Sequence, residues 1–163
     1  MPGRAEGGAV AVVIPAYQAA DTIPGVVRGV LRALPGARVY VVDDGSRDKT
    51  GEKAGGEGRG KGVTVLAHPR NLGKGAALRT GIARALADGA RIVLTLDADG
   101  QHAPVELSRL LAPLARDEAD LVLGARARTA AMPRGRRCTN WLSAALASRI
   151  GGQPIAEIGR AHV

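Results

Sequence analysis

Asp97-Ala98-Asp99-Gly100-Gln101 sets two carboxylates and an amide directly after an apolar, β-branched run, Ile92-Val93-Leu94-Thr95-Leu96. Such a run reads as a buried strand, and in open α/β sheets ligands bind outside the carboxyl ends of the strands. Carboxylates two residues apart on extended chain point to the same side. Together with the amide they make an oxygen-rich set suited to Mg²⁺ or Mn²⁺, a metal usually shared with a substrate's phosphates. The chemistry this suggests is that of sugar nucleotides.

Three further stretches carry residues of the same kind. Pro15-Ala16-Tyr17-Gln18 offers backbone polar groups and one aromatic face. Asp43-Asp44-Gly45-Ser46 places two carboxylates where they can accept from a base imide or ribose hydroxyls, although Asp-Gly is also an ordinary turn signal. Asn71-Leu72-Gly73-Lys74-Gly75 opens a helix, where a Gly-rich turn favours anions and Lys74 adds a positive point charge. Taken singly, a cap and a solvated lysine would explain that last stretch. Convergence of all four on one sheet edge is harder to explain as packing.

The elements that must position these residues alternate in type. Strands are expected at 10–14, 39–42, 63–67, 92–96 and 120–123. Helices are expected at 22–34, 48–54, 75–87, 104–116 and 139–150. The first helix has the apolar spacing Ile23, Val26, Val27, Val30, Leu31, Leu34, with Asp21 or Thr22 as N-cap and Pro35-Gly36 as its stop. Ala76, Leu78, Ile82, Ala85 and Leu86 form the stripe of the third, and Pro104 suits the first turn of the fourth. Residues 55–62, with five Gly among eight, read as a mobile connection. Strand–helix alternation predicts an α/β fold with a mainly parallel, Rossmann-like sheet flanked by helices.

Composition bounds the rest. The 163 residues, 45% of them apolar, amount to about one domain with enough material for a core. A lone cysteine, Cys138, excludes a disulfide framework and agrees with a reducing cytosol. No apolar run reaches the roughly 18 residues of a membrane span. A net charge of +8 favours anionic partners, with five Arg and no acid between Arg126 and Arg137. One Trp, two Tyr and no Phe supply few stacking platforms, which argues against single-stranded nucleic acid.

Val12-Val13-Ile14-Pro15-Ala16-Tyr17, Val41-Val42-Asp43-Asp44-Gly45-Ser46-Arg47-Asp48-Lys49-Thr50, Asn71-Leu72-Gly73-Lys74-Gly75-Ala76-Ala77 and Leu96-Asp97-Ala98-Asp99-Gly100-Gln101-His102 occur in this order. In that order they resemble the family-2 glycosyltransferases, most closely the dolichyl-phosphate mannosyltransferase-like, polyprenyl-phosphate branch, over residues 9–156. The resemblance implies a GT-A fold, a nucleotide-sugar donor (GDP- or UDP-linked), a divalent cation and inversion at the anomeric carbon. It implies that Pro15, Ala16 and Tyr17 line the nucleotide site and that Asp43 and Asp44 contact base and ribose, with Lys74 also on the donor side. Asp97, Asp99 and Gln101 match the metal-holding Asp-x-Asp-x-Gln element, with Asp97 touching the donor as well and Asp99 counted as catalytic. Gly124-Ala125-Arg126 looks like the family's Gly-Ser-Arg element, with Ala in place of Ser. Arg126 is implied to face the acceptor or donor phosphate. One of Arg136 and Arg137, just before the final helix, resembles the basic residues of the family's acceptor loop, with Arg137 counted as catalytic.

A lipid monophosphate acceptor is already anionic near neutral pH, its second pKa being about 6, and needs no general base. A sugar hydroxyl would need one; His68, before Pro69, and His102, beside a helix start, read as structural. The expectation is therefore sugar transfer to a polyprenyl phosphate in the cytoplasm, with peripheral association at the inner face of the membrane left open. Transfer to a sugar hydroxyl of an envelope polysaccharide, a sugar-phosphate nucleotidyltransferase, and a non-catalytic basic binder of nucleic acid or lipid surfaces are the alternatives. Residues 1–8, polar and Gly-rich, are expected to be disordered. After Gly152-Gln153-Pro154-Ile155 the branch continues with Asp and a short Cys/Ser-Gly-Phe/Tyr-Arg motif, whereas this chain reads Glu157-Ile158-Gly159-Arg160-Ala161-His162-Val163. Those residues match the translation of a common sequencing-adapter read, so 157–163 is expected to be a non-native tail on an N-terminal fragment.

Overall fold

Val10–Ala16 forms the first strand, β1, and all but its first residue are buried, as the unbroken apolar run requires of a strand covered on both faces. The structure is a computed structural model and describes residues 10–58, 60, 62–101, 106–116, 118, 119 and 122. After β1 come α1 (Ile23–Ala33), β2 (Arg38–Asp43), α2 (Thr50–Glu57), β3 (Val63–Ala67), α3 (Lys74–Ala87), β4 (Ile92–Thr95) and α4 (Leu107–Ala115). The sheet order is β3-β2-β1-β4 and every pairing is parallel, as the alternation predicts. The chain walks outward from β1 to β3, then α3 returns it to the far side of β1. The carboxyl ends of β1 and β4 therefore flank a topological switch point.

Strand parity divides the core in two. Val12, Ile14, Val39, Val41 and Leu94 share one cluster with Ile23, Val26, Val27 and Val30 of α1, Ala54 of α2 and Leu107 of α4. Ala11, Val13 and Tyr40 face the other way, against Leu78, Ile82 and Ala85 of α3. α3 lies close to the sheet because position 81 has no side chain: a Cβ there would collide with Val13 and sit 3.0 Å from Val42 Cγ2. Gly81→Ala is therefore expected to destabilise by about 1–3 kcal/mol, although the same change in an open helix gains about 1 kcal/mol. Urea titrations check this, with Gly25→Ala, which has nothing within 4 Å, as the control that must not destabilise.

Several local expectations need correction. α2 starts later and runs further than 48–54, continuing through Gly55 and Gly56 to Glu57, so part of the expected mobile connection is helix. Packing outweighs glycine's poor propensity here: Gly55 faces Val65, and Glu57 pairs with Arg28 of α1. Thr22 holds the N-cap position of α1, but its hydroxyl does not cap the helix. It donates instead to the carbonyl of Ala98 at 2.6 Å, tying the start of α1 to the Asp97–Asp99 loop. β1 also passes through Pro15 instead of ending before it. The carbonyl of Val13 accepts from Leu96 on the β4 side, so position 15 faces that same side, where β4 has already stopped at Thr95. No ladder donor is lost. The expected strand at 120–123, apart from Val122, and the expected helix at 139–150 lie outside the described residues. No described helix is long and apolar enough to cross a membrane.

Candidate functional site

β1, β2 and β4 all end at one edge, and each delivers a loop there. After β1, Tyr17 is half exposed at 49% and Gln18 takes a left-handed φ of 52°. This turn directs consecutive N–H groups onto the segment after β2. Gln18 N–H donates to Ser46 Oγ at 3.0 Å, Ala19 N–H to Thr50 Oγ1 at 2.8 Å and Ala20 N–H to Asp48 Oδ2 at 3.1 Å. Thr50 in turn donates to Asp48 Oδ1 through its hydroxyl at 2.5 Å and its N–H at 3.0 Å. The Thr50 hydroxyl first, with the Ala20 and Thr50 N–H groups, holds the Asp48 carboxyl below its ordinary range. Ser46, Asp48 and Thr50 are thus the residues that fix the first loop, and sequence reasoning passed over them. They stand in the same run as the acidic pair, which was the available signal.

The acidic pair separates. Asp43 is partly buried at the end of β2, with Oδ1 accepting from Ser46 N–H at 3.0 Å. Its Oδ2 lies above Gly51, where a Cβ would come within 2.8 Å, so glycine is needed at that place for the carboxylate to keep its position. Asp44 turns inward and is only 3% exposed. Its Oδ1 accepts from His68 Nδ1–H at 2.7 Å and Leu72 N–H at 3.0 Å, and its Oδ2 from Gly73 N–H at 2.8 Å. Burial alone would raise this carboxyl, but the bonds from His68, Leu72 and Gly73 outweigh it and leave it below the ordinary range. Asp44 therefore faces the protein, and Asp43 is the member of the pair set at the sheet edge.

Lys74 is the first residue of α3, and its ammonium reaches Asp97 Oδ1 at 2.5 Å. Its side chain is 54% exposed and that of Asp97 19%. β4 ends at Thr95, so Asp97 to Asp99 follow a turn, and strand alternation does not orient them. Instead the loop is held by Thr22 on the Ala98 carbonyl and by Asp99 Oδ1, which accepts from Gln101 N–H at 2.9 Å. Asp99 and Gln101 are exposed, while Ala98 between the carboxylates is buried and anchors the turn. Among the described residues no three His, Cys, Asp or Glu side chains cluster as a metal cage. Two hard carboxylates suit Mg²⁺ or Mn²⁺ nonetheless, because such ions complete their shell with water and substrate phosphate. Asp97 Oδ1 carries the Lys74 ammonium, and the carboxylates such an ion would meet are those of Asp97 and the exposed Asp99. Arg126, Arg136, Arg137 and His102 lie outside the described residues.

The edge thus brings together Pro15 and Ala16 at the end of β1, with Tyr17 just after them, and Asp43 at the end of β2, where it is the register partner of Ala16. It also brings Lys74 and Asp97 into direct contact. A sequence model of glycosyl transferase family 2 matches residues 11–149. Polyprenol monophosphomannose synthase of Mycolicibacterium smegmatis is 39% identical over 117 residues, 71% of this chain and 44% of that protein. UDP-N-acetylglucosamine–dolichyl-phosphate N-acetylglucosaminyltransferase of Methanococcus voltae is 32% identical over 128 residues, 71% of this chain and 51% of its own length. The chain spans about half the length of these curated relatives. Glucosyl-3-phosphoglycerate synthase from Mycobacterium tuberculosis, solved with Mn²⁺, UDP and phosphoglyceric acid, superposes with a TM-score of 0.61. It is 25% identical over 88% of this chain and 49% of that one. The sheet and its flanking helices are thus of the GT-A type, and the chain belongs to glycosyl transferase family 2.

Proposed function

We propose that this domain transfers a sugar from a GDP- or UDP-linked donor to a polyprenyl phosphate, with inversion and with Mg²⁺ or Mn²⁺ at Asp97 and Asp99. The observation that carries the reading is the joining of Lys74 and Asp97 at the carboxyl edge, beside Asp43 and the loop after β1. The names of the two relatives, which carry different sugars to polyprenol or dolichyl phosphate, support the acceptor class and leave the donor open.

The mechanism follows from charge. Asp43 accepts from the base or ribose, and the exposed ring of Tyr17 offers the base a face. A metal held by Asp97 and Asp99, with Gln101 beside them, would screen the charge that grows on the nucleoside diphosphate as the sugar–phosphate bond breaks. Lys74 adds a second cation on the same side. An acceptor phosphate oxygen attacks the anomeric carbon from the face opposite the leaving diphosphate, so one C–O bond forms as the other breaks and the configuration inverts. No proton has to be removed from the acceptor. On the resemblance, Arg126 is proposed to face the acceptor or donor phosphate and Arg137 to belong to the basic acceptor loop. A lipid acceptor would bring the domain to the cytoplasmic face of a membrane as a peripheral protein.

Calorimetry of GDP, UDP and their sugars with and without Mn²⁺, followed by label transfer to polyprenyl phosphate in vesicles, tests both halves. Mn²⁺-dependent binding of one nucleotide and a labelled lipid product are expected. Nucleotide binding without any lipid product from any common sugar nucleotide overturns the acceptor; absence of binding overturns the donor site.

A further inference from the structure

We infer that Thr80, His68 and Asp44 form a partly buried relay whose task is to position Lys74 against Asp97, so that His68 and Asp44 are positioning residues of the donor side. The inference rests on the donor-site reading given above. His68 follows β3, its N–H donating to the Asp43 carbonyl at 2.9 Å, and its side chain is only 10% exposed. One ring nitrogen meets Asp44 Oδ1 at 2.7 Å and the other meets Thr80 Oγ1 of α3 at 2.9 Å. The ring is therefore fixed from both ends, and it orients the Asp44 carboxylate on which the Leu72 and Gly73 N–H groups converge.

From there the connection to Lys74 is short and stiff. Gly73, at a φ of 91°, caps α3, and its carbonyl accepts from Ala76 at 2.9 Å and Ala77 at 3.1 Å to start the first turn. Lys74 is the first residue of that turn. Backbone packing closes the other side: a Cβ on Gly45 would lie 2.6 Å from both Arg70 Cα and Asn71 N. Nothing else among the described hydrogen bonds ties the Leu72–Gly73 backbone to β2, so the direction in which Lys74 leaves the loop is set by Asp44 and, through it, by His68. A carboxylate held inward by such donors is orientation built into the fold, which removes an ordering cost from ligand binding.

The test is a double-mutant cycle of His68→Leu with Lys74→Met, plus His68→Asn, which keeps a donor where Nδ1 stands. Dissociation constants for GDP and UDP with Mn²⁺ and amide hydrogen exchange at Leu72 and Gly73 are read in parallel. His68→Leu is expected to weaken nucleotide binding about tenfold and to speed exchange at both amides, and His68→Asn to recover most of each. In the Lys74→Met background His68→Leu is expected to cost little more, because both act through the same ammonium. Equal losses in both backgrounds, or unchanged exchange at Leu72 and Gly73, overturn the relay. If His68→Leu does not fold, Thr80→Val, which frees the other ring nitrogen, completes the cycle with Lys74→Met. A smaller loss that disappears in the Lys74→Met background is then expected, and an equal loss in both backgrounds or unchanged exchange overturns the relay. If the wild-type chain binds neither nucleotide, the donor-site reading fails, and the exchange measurement alone decides whether the relay holds the loop.

Discussion

Asp97→Asn is expected to lower sugar transfer on the order of a thousandfold and to abolish tight Mn²⁺ binding, with Asp99→Asn losing about a hundredfold. The two differ because their surroundings differ. Asp97 is the less exposed and carries the Lys74 ammonium, so its charge acts in a lower effective dielectric. Removing it takes away a proposed metal ligand and leaves Lys74 without this carboxylate. Asp99 is exposed and better screened, and an asparagine there keeps an oxygen to accept from Gln101 N–H. The turn should persist in that variant, so its loss reports charge, not loop collapse. Electron paramagnetic resonance titration of Mn²⁺ and steady-state transfer rates check the pair, and thermal midpoints should stay within a few degrees of wild type. Full transfer by Asp97→Asn would remove the metal from the mechanism.

How much of this was legible in the sequence depends on the range of the forces involved. β1 to β4 and α1 to α4 could be read because their cause is local: apolar runs, helical spacing and Gly or Pro stops. The misread boundaries are those where a distant group decides. Gly55 and Gly56 look like a loop by propensity, yet the helix continues because Val65 and Arg28, far along the chain, complete its packing. Thr22 looks like a cap, and a carbonyl 76 residues away takes its hydroxyl instead. Pro15 looks like an end, but only the pairing order reveals that its missing donor faces no partner.

The candidate site follows the same division. Residue types and spacing sufficed to bring Asp43, Lys74, Asp97 and Asp99 into view, since a strand's carboxyl end is a location that periodicity can find. Which of Asp43 and Asp44 turns outward was not legible, because it depends on three donors from the loop at 68–73. Nor was the Lys74–Asp97 contact, which needs the return crossover of α3 to bring β3's following loop beside β4's. The i, i+2 argument picked out Asp97 and Asp99 for a reason that the geometry does not supply: the turn is shaped by Thr22 and Gln101, not by strand alternation.

Asp44→Ala is expected to cost about 3–4 kcal/mol at neutral pH, the largest stability loss of any single change near the site. The variant takes away a buried carboxylate, only 3% exposed, and leaves the three partly buried donors on His68, Leu72 and Gly73 without their acceptor. Asp44→Asn should fall between, because an amide accepts at one oxygen but presents N–H to a donor at the other. Acid separates this account from a simple packing defect. The native carboxyl titrates below its ordinary value, so over that window the unfolded chain binds the proton and the folded one does not. The stabilisation is complete above the unfolded value of about 4 and is lost as pH falls through the lower native one. Urea unfolding of wild type and Asp44→Ala at descending pH should therefore show their stabilities converging below about pH 4, while the cost of a packing mutation such as Gly81→Ala stays constant. A gap between wild type and Asp44→Ala that is independent of pH would mean the charge on Asp44 does not hold the loop, and that shape alone does.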